Sequence, residues 1–144
     1  MKIVKANKNF LKEIGTLMKR ELAKPPFNEK KSLKNIVKSL NFYMQIGKIY
    51  IVIIDKKIVG VIVFKKEQYW EGPVIIIEDL VVKQEFNSKG IGKNLIQYVE
   101  SIAKKEKVKS INFKTHKKSK TIKFYNKRGY KKDKNALQMY KILK

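Results

Sequence analysis

The chain has 144 residues, 43% of them hydrophobic, with no cysteine, one histidine and a formal net charge of +23. The lack of cysteine excludes disulfides, cysteine-based metal sites and a thiol nucleophile, and His116 alone leaves little for a zinc site, so we expect no metal. The first residues lack the apolar segment of a signal peptide, and no apolar run approaches the roughly 20 residues that span a membrane. We therefore expect a cytoplasmic protein without a membrane partner.

The length and the apolar content predict one compact domain over residues 1–144. The positive charge could serve nucleic-acid binding, but it comes from 33 Lys and only 2 Arg, spread over nearly every segment. Arg carries most bidentate recognition of phosphates and bases. We therefore favour a bias of overall composition over a dedicated nucleic-acid partner.

The first half of the chain predicts a strand, two helices and three further strands. Apolar residues at helical spacing predict a first amphipathic helix, which Pro25 and Pro26 end. Asn28 is expected to cap the second helix, and Gly47 to end it. The predicted elements are a strand at 2–6, helices at 10–22 and 29–44, and strands at 49–54, 58–64 and 74–82.

The second half predicts a helix that begins at Ile91, with one apolar and one polar face. A strand at 109–114 follows and returns beside strand 74–82 by a right-handed crossover, which makes these two strands parallel. A short helix at 121–128, ended by Gly129, and a closing strand at 137–143 complete the chain. The predicted sheet is mixed.

A glycine turn joins strand 74–82 to the helix at Ile91. Gly90 and Gly92 let the backbone approach a ligand, and the free amides of the helix start can donate to an anion. This predicts a ligand that carries phosphate. A G-x-G pair also serves plain turns. The third glycine and the acidic residue of a Rossmann motif are absent, and so is the full P-loop pattern G-x-x-x-x-G-K-[ST].

A second motif lies downstream, with Phe124, Tyr125, Gly129 and Tyr130 at the spacing F-Y-x-x-x-G-Y. Together the two motifs resemble the GNAT superfamily of acetyl-CoA-dependent N-acyltransferases, over essentially the whole chain. The family's pyrophosphate loop, Q/R-x-x-G-x-G/A, is matched at residues 87–92 with Asn87 in place of Gln or Arg. The resemblance implies a single-domain α/β fold with a mostly antiparallel mixed sheet, a splayed parallel strand pair and flanking helices.

The resemblance also implies where acetyl-CoA binds. The strand backbone pairs with the pantetheine arm in the manner of an added strand, and backbone amides of the loop hold the pyrophosphate. Lys118 stands seven residues before Tyr125, where many members place an Asn that contacts pantetheine. The implied cofactor-binding residues are Leu80, Val81, Val82, Asn87, Ser88, Lys89, Gly90, Ile91, Gly92, Lys93 and Lys118.

Acetyl transfer needs a neutral amine, a donor to the developing oxyanion and a proton for the departing thiolate. The resemblance implies that Tyr125 supplies this proton. The alternative is that Phe124 and Tyr125 only pack the last helix. The oxyanion donor is expected to be a backbone amide near Leu80 or Val81.

Glu78 and Asp79 interrupt an apolar strand, and buried carboxylates are costly unless they are paired or functional. Only one of the two can point into a given cleft unless a bulge intervenes. They resemble the acidic pair of polyamine and other small-amine acetyltransferases in the family, where the Glu takes the amine proton through water. We favour Glu78 over Asp79 as the base; the alternatives are a pairing of these carboxylates with lysines and a base at His116.

The acceptor is expected near the longest stretch without a positive residue, between Lys66 and Lys83. This stretch combines carboxylates with aromatic faces, which attract cationic amines, although it also suits an ordinary strand and turn. The other candidate wall of the cleft is the loop at residues 24–27. The side chains concerned in the acidic stretch are Glu67, Tyr69, Trp70, Glu71, Glu78 and Asp79.

The leading hypothesis is an acetyl-CoA-dependent N-acetyltransferase that modifies a primary amine of a small molecule or polyamine by direct attack in a ternary complex, since no cysteine is present for a relay. The alternatives are a protein N-terminal or lysine acetyltransferase, which would take a peptide amine, and a basic nucleic-acid-binding protein that kept the fold. The resemblance also implies a homodimer as one open option for the oligomeric state.

Overall fold

The computed structural model describes all 144 residues and contains five strands and four helices. By their internal contacts the residues form two compact units, Met1–Lys114 and Thr115–Lys144. The single domain expected from the sequence stays a prediction. The elements of the first unit are β1 (Lys2–Lys5), α1 (Leu11–Leu22), α2 (Leu33–Ile46), β2 (Gly47–Ile54), β3 (Lys57–Tyr69), β4 (Gly72–Val82), α3 (Ile91–Lys105) and β5 (Ile111–Phe113). The second unit contains α4 (Ile122–Lys127).

The five strands form one sheet in the order β1-β2-β3-β4-β5. All neighbouring pairs are antiparallel except β4 and β5, which are parallel. The predicted α/β fold with a mostly antiparallel mixed sheet and one parallel pair is therefore confirmed. None of the helices combines the length and the apolar character that crossing a membrane requires.

Helices cover both faces of the sheet. The apolar residues of α1 and α2, such as Ile14 and Leu40, pack with Ile51, Val61 and Val63 in one buried cluster. The other face is covered by α3, whose Ile91, Leu95 and Val99 are at most 2% exposed. Burial of these apolar side chains is the main stabilising contribution to the sheet and its helices.

Close packing of α3 requires Gly60 in β3. A Cβ on Gly60 would lie 2.8 Å from Cγ2 of Ile91 and 3.4 Å from Cδ1 of Leu95. Tyr50 and Tyr98 form a ring contact beside them, with centroids 4.8 Å apart. The absence of a side chain at residue 60 thus lets the first turn of α3 lie directly on the sheet.

The predicted start of α2 is wrong by four residues. The helix begins at Leu33 because the Ser32 side chain accepts a hydrogen bond from the Asn35 amide at 3.1 Å, which caps it. Asn28, the predicted cap, has a φ of 50° and belongs to the loop. Its amide donates to the Lys24 carbonyl at 3.1 Å, so the loop closes on the end of α1 instead of continuing into a helix.

The predicted closing strand at 137–143 is also wrong. Residues 131–144 contain no strand, and no pairing of the sheet includes them. Leu137, Met139, Tyr140, Ile142 and Leu143 are all exposed. Apolar alternation indicates that a segment could form a strand, but a strand exists only where a second strand pairs with it.

Candidate active site

A β-bulge lies in the centre of β4. Val63 of β3 pairs with Asp79, and the next residue, Phe64, pairs with Ile77, so Glu78 is an extra residue without a partner. Asp79 therefore lies on the face of Val63, which packs under α1 and α2. Glu78 lies on the same side, because its carboxylate reaches Lys65. The bulge thus brings both predicted carboxylates to one face, which regular alternation would prevent.

Beyond the bulge, β4 has an open edge. Its pairing with β5 ends at Ile77 and Phe113, whereas β4 continues to Val82. The Lys83 amide donates to the Val59 carbonyl of β3 at 2.9 Å. Because backbone groups alternate in direction along a strand, those of Val81 face β3 and those of Leu80 and Val82 face the open edge. An extended ligand can add to this edge as a further strand.

Glu78 is held by a lysine from the neighbouring strand. The Lys65 ammonium lies 3.3 Å from Oε1 of Glu78 and 3.2 Å from Oε1 of Glu67. Hydrogen bonds from Lys65 to Glu67 and Glu78 raise its pKa, so the lysine stays charged. From the sequence, an ion pair with a lysine was the alternative to a role as base. Glu78 forms such an ion pair.

The Tyr43 hydroxyl of α2 lies on the same side of the sheet. Burial raises the pKa of Tyr43, and the negative charge of Glu78 raises it further. Tyr43 thus remains a neutral phenol next to the carboxylates and can donate a hydrogen bond. Neither Tyr43 nor Lys65 was identified from the sequence, because both come from other elements and only the bulge aims Glu78 at them.

The Asp79 side chain differs from that of Glu78 in having no ion pair or hydrogen bond. Burial raises the pKa of Asp79 to about 6, the Glu78 charge adds to the increase, and Lys31 opposes it. Such a carboxyl group can bind and release a proton near neutral pH. The two adjacent carboxylates thus have different surroundings, a lysine at Glu78 and a buried position without an ion pair at Asp79.

The glycine turn follows directly at the end of β4. Ser88 and Gly90 have φ values of 67° and 80°, and Gly90 precedes α3 without a side-chain cap. The first helical hydrogen bond runs from the Asn94 amide to the Gly90 carbonyl at 2.9 Å. The amides of Ile91, Gly92 and Lys93 precede it and point out of the helix start, where the helix dipole favours an anion.

The surroundings of the turn fit a diphosphate. A Cβ on Gly90 would meet no atom within 4 Å, so the space beside this backbone is open. The side chains of Ser88, Lys89 and Lys93 are exposed, as is that of Asn87, whereas Ile91 is buried and anchors the helix. The site thus combines free backbone amides, lysine charge and room for a ligand.

The connection between α1 and α2 is tied to this turn. The Lys24 ammonium lies 2.8 Å from Oε1 of Gln84, and Arg20 forms an ion pair with Glu85. Lys31 and Glu29 are close enough to influence the pKa of Asp79. The loop at residues 24–27 therefore lies near the segment that leads into the glycine turn, and the residues that follow it, Glu29 and Lys31, lie near Asp79.

The other expected wall, the acidic stretch between Lys66 and Lys83, is not one surface. Trp70 and Glu71 form the exposed tip of the β3–β4 hairpin. Glu71 and Glu78 are seven residues apart on an extended strand, which separates them by roughly 23 Å. The prediction of a single acidic and aromatic wall is wrong, because an extended strand spreads residues that look clustered in sequence.

Tyr125 lies on α4 in the second unit, within a small aromatic cluster. Its ring meets those of Phe124 and Tyr130 edge-on, at centroid distances of 5.2 and 6.0 Å. Burial raises the pKa of Tyr125 to about 12. The hydroxyl therefore keeps its proton throughout the neutral range, as a proton donor must.

Other contacts in this unit fix α4. Arg128, which the sequence did not single out, lies 3.8 Å above the Phe124 ring and donates to the Phe124 carbonyl at 2.9 Å. Ser119 is buried and accepts a hydrogen bond from the Thr121 amide at 3.2 Å. The Lys118 amide donates to Nδ1 of His116 at 3.1 Å, and the Lys118 side chain is exposed.

A family model described as the acetyltransferase (GNAT) family matches residues 17–130. No curated protein matches the chain in sequence. The fold is similar to that of a possible acetyltransferase from Clostridium difficile 630, with a TM-score of 0.87 at 19% identity, covering 99% of this chain and 98% of that one.

Two further similar structures have acceptors in their names. One is an aminoglycoside acetyltransferase from an uncultured soil metagenomic sample, with a TM-score of 0.76 at 22% identity, covering 99% of this chain and 96% of that one. The other is a ribosomal-protein-alanine N-acetyltransferase from Brucella melitensis biovar Abortus 2308, with a TM-score of 0.80 at 12% identity. The similarity covers 99% of this chain and 100% of that one. At these identities the similarities show a shared fold.

Proposed function

Because the chain belongs to the GNAT family of acetyltransferases, we propose that it transfers the acetyl group of acetyl-CoA to a primary amine of a small molecule or polyamine. The resemblance inferred from the glycine turn and the Tyr125 motif is thereby confirmed at the level of the family. The observation that carries the finer proposal is the bulge in β4, which places two carboxylates beside an open strand edge that leads into the glycine turn.

The open edge and the turn suit the two halves of the cofactor. The backbone of Leu80 and Val82 would pair with the amide-containing pantetheine arm, as one strand pairs with another. The amides at the start of α3 would hold the pyrophosphate, with Lys89 and Lys93 adding positive charge. Lys118 is a further cation that we assign to acetyl-CoA.

The reaction follows as direct attack within a ternary complex. The amine nitrogen forms a bond to the carbonyl carbon of the thioester, the Leu80 amide donates to the oxyanion, and the C–S bond then breaks. Tyr125 protonates the departing thiolate, and the proton of the amine passes to the Glu78–Asp79 pair. Atoms and charges balance, because one proton leaves the amine and one reaches the thiol.

Similarity of fold leaves two classes of acceptor to compare. The aminoglycoside acetyltransferase is named for a small-molecule substrate, and the Brucella enzyme for an alanine of a ribosomal protein. Carboxylates beside the cleft would attract either class. We favour small amines, because the adjacent Glu78 and Asp79, which the bulge brings to one face, resemble the acidic pair of the small-amine acetyltransferases in the family.

The proposal is tested by binding and turnover. Acetyl-CoA should raise the melting temperature of the protein, and thiol release should be stimulated by members of a panel of diamines, polyamines and aminoglycosides. A parallel panel of peptides with free N-termini or lysines tests the second class. Absence of acetyl-CoA binding and of amine-dependent thiol release would refute the function, whereas turnover of peptides alone would select the protein acetyltransferase.

A further inference from the structure

We propose that Asp79 takes the proton of the acceptor amine, and that Lys65 is a positioning residue that holds Glu78 out of this role. The inference rests on the proposed acetyl transfer and names the residues that carry its base step. It reverses the preference for Glu78 that the sequence favoured. Lys65 was assigned no role by the sequence or by the family resemblance.

The first step of the argument is the state of Glu78. Its carboxylate forms an ion pair with the Lys65 ammonium at 3.3 Å, and Lys65 is itself fixed by Glu67 at 3.2 Å. Tyr43 lies close enough for the Glu78 charge to affect its pKa. Glu78 would have to give up this charge-assisted contact with Lys65 before it could take a proton from an amine, which disfavours it as the base.

The second step is the state of Asp79. It is the next residue on the same face of the bulge, and its side chain makes no ion pair or hydrogen bond. It is also adjacent to Leu80, whose backbone faces the open edge where the thioester would lie. The charged and titratable groups around it are Glu78 on its own strand, Lys31 and Glu29 before α2, and Tyr43 on α2.

These surroundings give Asp79 the properties of a general base. Burial and the Glu78 charge raise its pKa to about 6. When the amine nitrogen bonds to the carbonyl carbon and the C–S bond breaks, the proton leaving nitrogen passes to the Asp79 carboxylate and then to water. A base whose pKa lies near the working pH is present in its charged form and still accepts a proton readily.

The charge of Lys65 influences the pKa of Asp79 through Glu78. While the lysine is present, its positive charge offsets the negative charge of Glu78 next to Asp79. Removing the lysine leaves that charge uncompensated, which should raise the pKa of Asp79. Removing the charge of Glu78 should lower it. The two substitutions thus shift the protonation of Asp79 in opposite directions, which a purely structural role for Lys65 would not do.

The test compares Asp79→Asn, Glu78→Gln, Lys65→Met and Lys65→Arg, with Asp55→Asn in the exposed β2–β3 turn as the matched control. We expect kcat/KM to fall about 100-fold or more in Asp79→Asn and only a few-fold in Glu78→Gln. The acidic limb of the pH profile should move to lower pH in Glu78→Gln and to higher pH in Lys65→Met. Lys65→Arg should restore the profile, and Asp55→Asn should leave it unchanged.

A second readout does not require turnover. The chain has three aspartates, Asp55, Asp79 and Asp133, so carboxyl-labelled aspartate gives three NMR signals, and Asp79→Asn identifies one of them. The pH at which the Asp79 signal is half titrated should be lower in Glu78→Gln and higher in Lys65→Met than in the wild-type protein. An unmoved midpoint, or near-normal activity of Asp79→Asn together with an inactive Glu78→Gln, would overturn the inference. A wild-type protein inactive with every amine would instead refute the proposed function itself.

Discussion

At the scale of single residues, the site shows that surroundings set the chemistry of a carboxylate. Glu78 and Asp79 are neighbours on one strand and lie on one face, yet one is paired with Lys65 and the other has no ion pair. Tyr125 shows the same principle for a proton donor, because burial keeps its hydroxyl protonated. The two predictions at this scale concern these groups.

Asp79→Asn should stabilise the protein at neutral pH even though it lowers activity. The pKa of Asp79 is raised from 3.8 to about 6 on folding, so the folded state holds this proton more tightly than the unfolded state. The resulting stability is fully present below the unfolded pKa and is lost as the pH rises through the folded pKa. At pH 8 the charged group therefore costs about 1–3 kcal/mol.

The measurement is the melting temperature of wild type and Asp79→Asn across the pH range. The variant should be more stable at pH 8, and the difference should vanish near pH 4, where the wild-type carboxyl group is also neutral. A variant that is less stable than wild type at both pH values would contradict the described surroundings of Asp79.

Tyr125→Phe should lower kcat about 100-fold and change the KM for acetyl-CoA little, because the hydroxyl acts only as the thiolate departs. Steady-state thiol release measures both constants, and Tyr140→Phe in the exposed C-terminal segment is the control. With a pKa of about 12, Tyr125 should produce no alkaline limb below pH 10. A variant with a lowered melting temperature but normal kcat would show that Tyr125 only packs α4.

The sequence identified Glu78, Asp79 and Tyr125 as chemical groups but could not describe their states. Their types and spacing were visible in the chain. Lys65 lies 13 positions before Glu78 in sequence, and it reaches Glu78 because β3 pairs with β4 and the bulge turns Glu78 toward it. Contacts of this kind depend on the register of two strands, which local pattern does not specify.

At the scale of elements, the glycine turn works because its backbone departs from ordinary conformations. Gly90 has a φ of 80° and open space where a Cβ would be. Gly90→Ala should therefore cost roughly 1 kcal/mol of stability through left-handed strain. The added methyl group would occupy the space assigned to the pyrophosphate. The Kd for acetyl-CoA should therefore also rise about tenfold, which corresponds to a loss of about 1.4 kcal/mol of binding free energy.

The control for this variant is Gly72→Ala at the start of β4. Gly72 also has a positive φ, of 129°, and the atoms nearest to its added Cβ would be those of the flexible Lys109 side chain. Calorimetric titration with acetyl-CoA should find normal affinity in Gly72→Ala and weak affinity in Gly90→Ala. Equal affinities in the two variants would remove the turn from the cofactor site.

Most elements were predictable because they bury regular apolar faces. The apolar spacing of α1 and α3 marks one packed face on each helix, and the apolar runs of β2 to β4 mark strands that are buried on both faces. The start of α2 was misplaced because Ser32 and Asn28 are both good cap residues and only the loop contacts decide between them. The closing strand at 137–143 was misjudged because pairing is a property of two segments.

At the scale of the whole molecule, the charge of +23 should make stability depend on salt. Raising NaCl from about 20 mM to about 300 mM shortens the screening length from roughly 20 Å to roughly 6 Å. Repulsion among the 35 basic residues should weaken more than the attraction to the 12 acidic ones. The melting temperature should rise by several degrees.

Differential scanning fluorimetry over a NaCl series measures this effect, with sucrose at matched osmolality as the control for non-ionic stabilisation. A melting temperature that is flat or falls with NaCl would mean that ion pairs such as Arg20–Glu85 and Lys66–Glu106 outweigh the repulsion. The charge would then be a source of stability and not a cost.

The fold as a whole was accessible from the sequence because strand runs, helix faces and two motifs all indicated the same topology.

The central claim of the proposed function is the transfer of an acetyl group to an amine nitrogen. The most direct measurement incubates the wild-type protein with acetyl-CoA labelled in the acetyl group and the best amine of the panel. The label should appear as an N-acetyl amide in equal amount to the free CoA released. Label that stays on the thioester, or that leaves only as acetate, would contradict the proposed function.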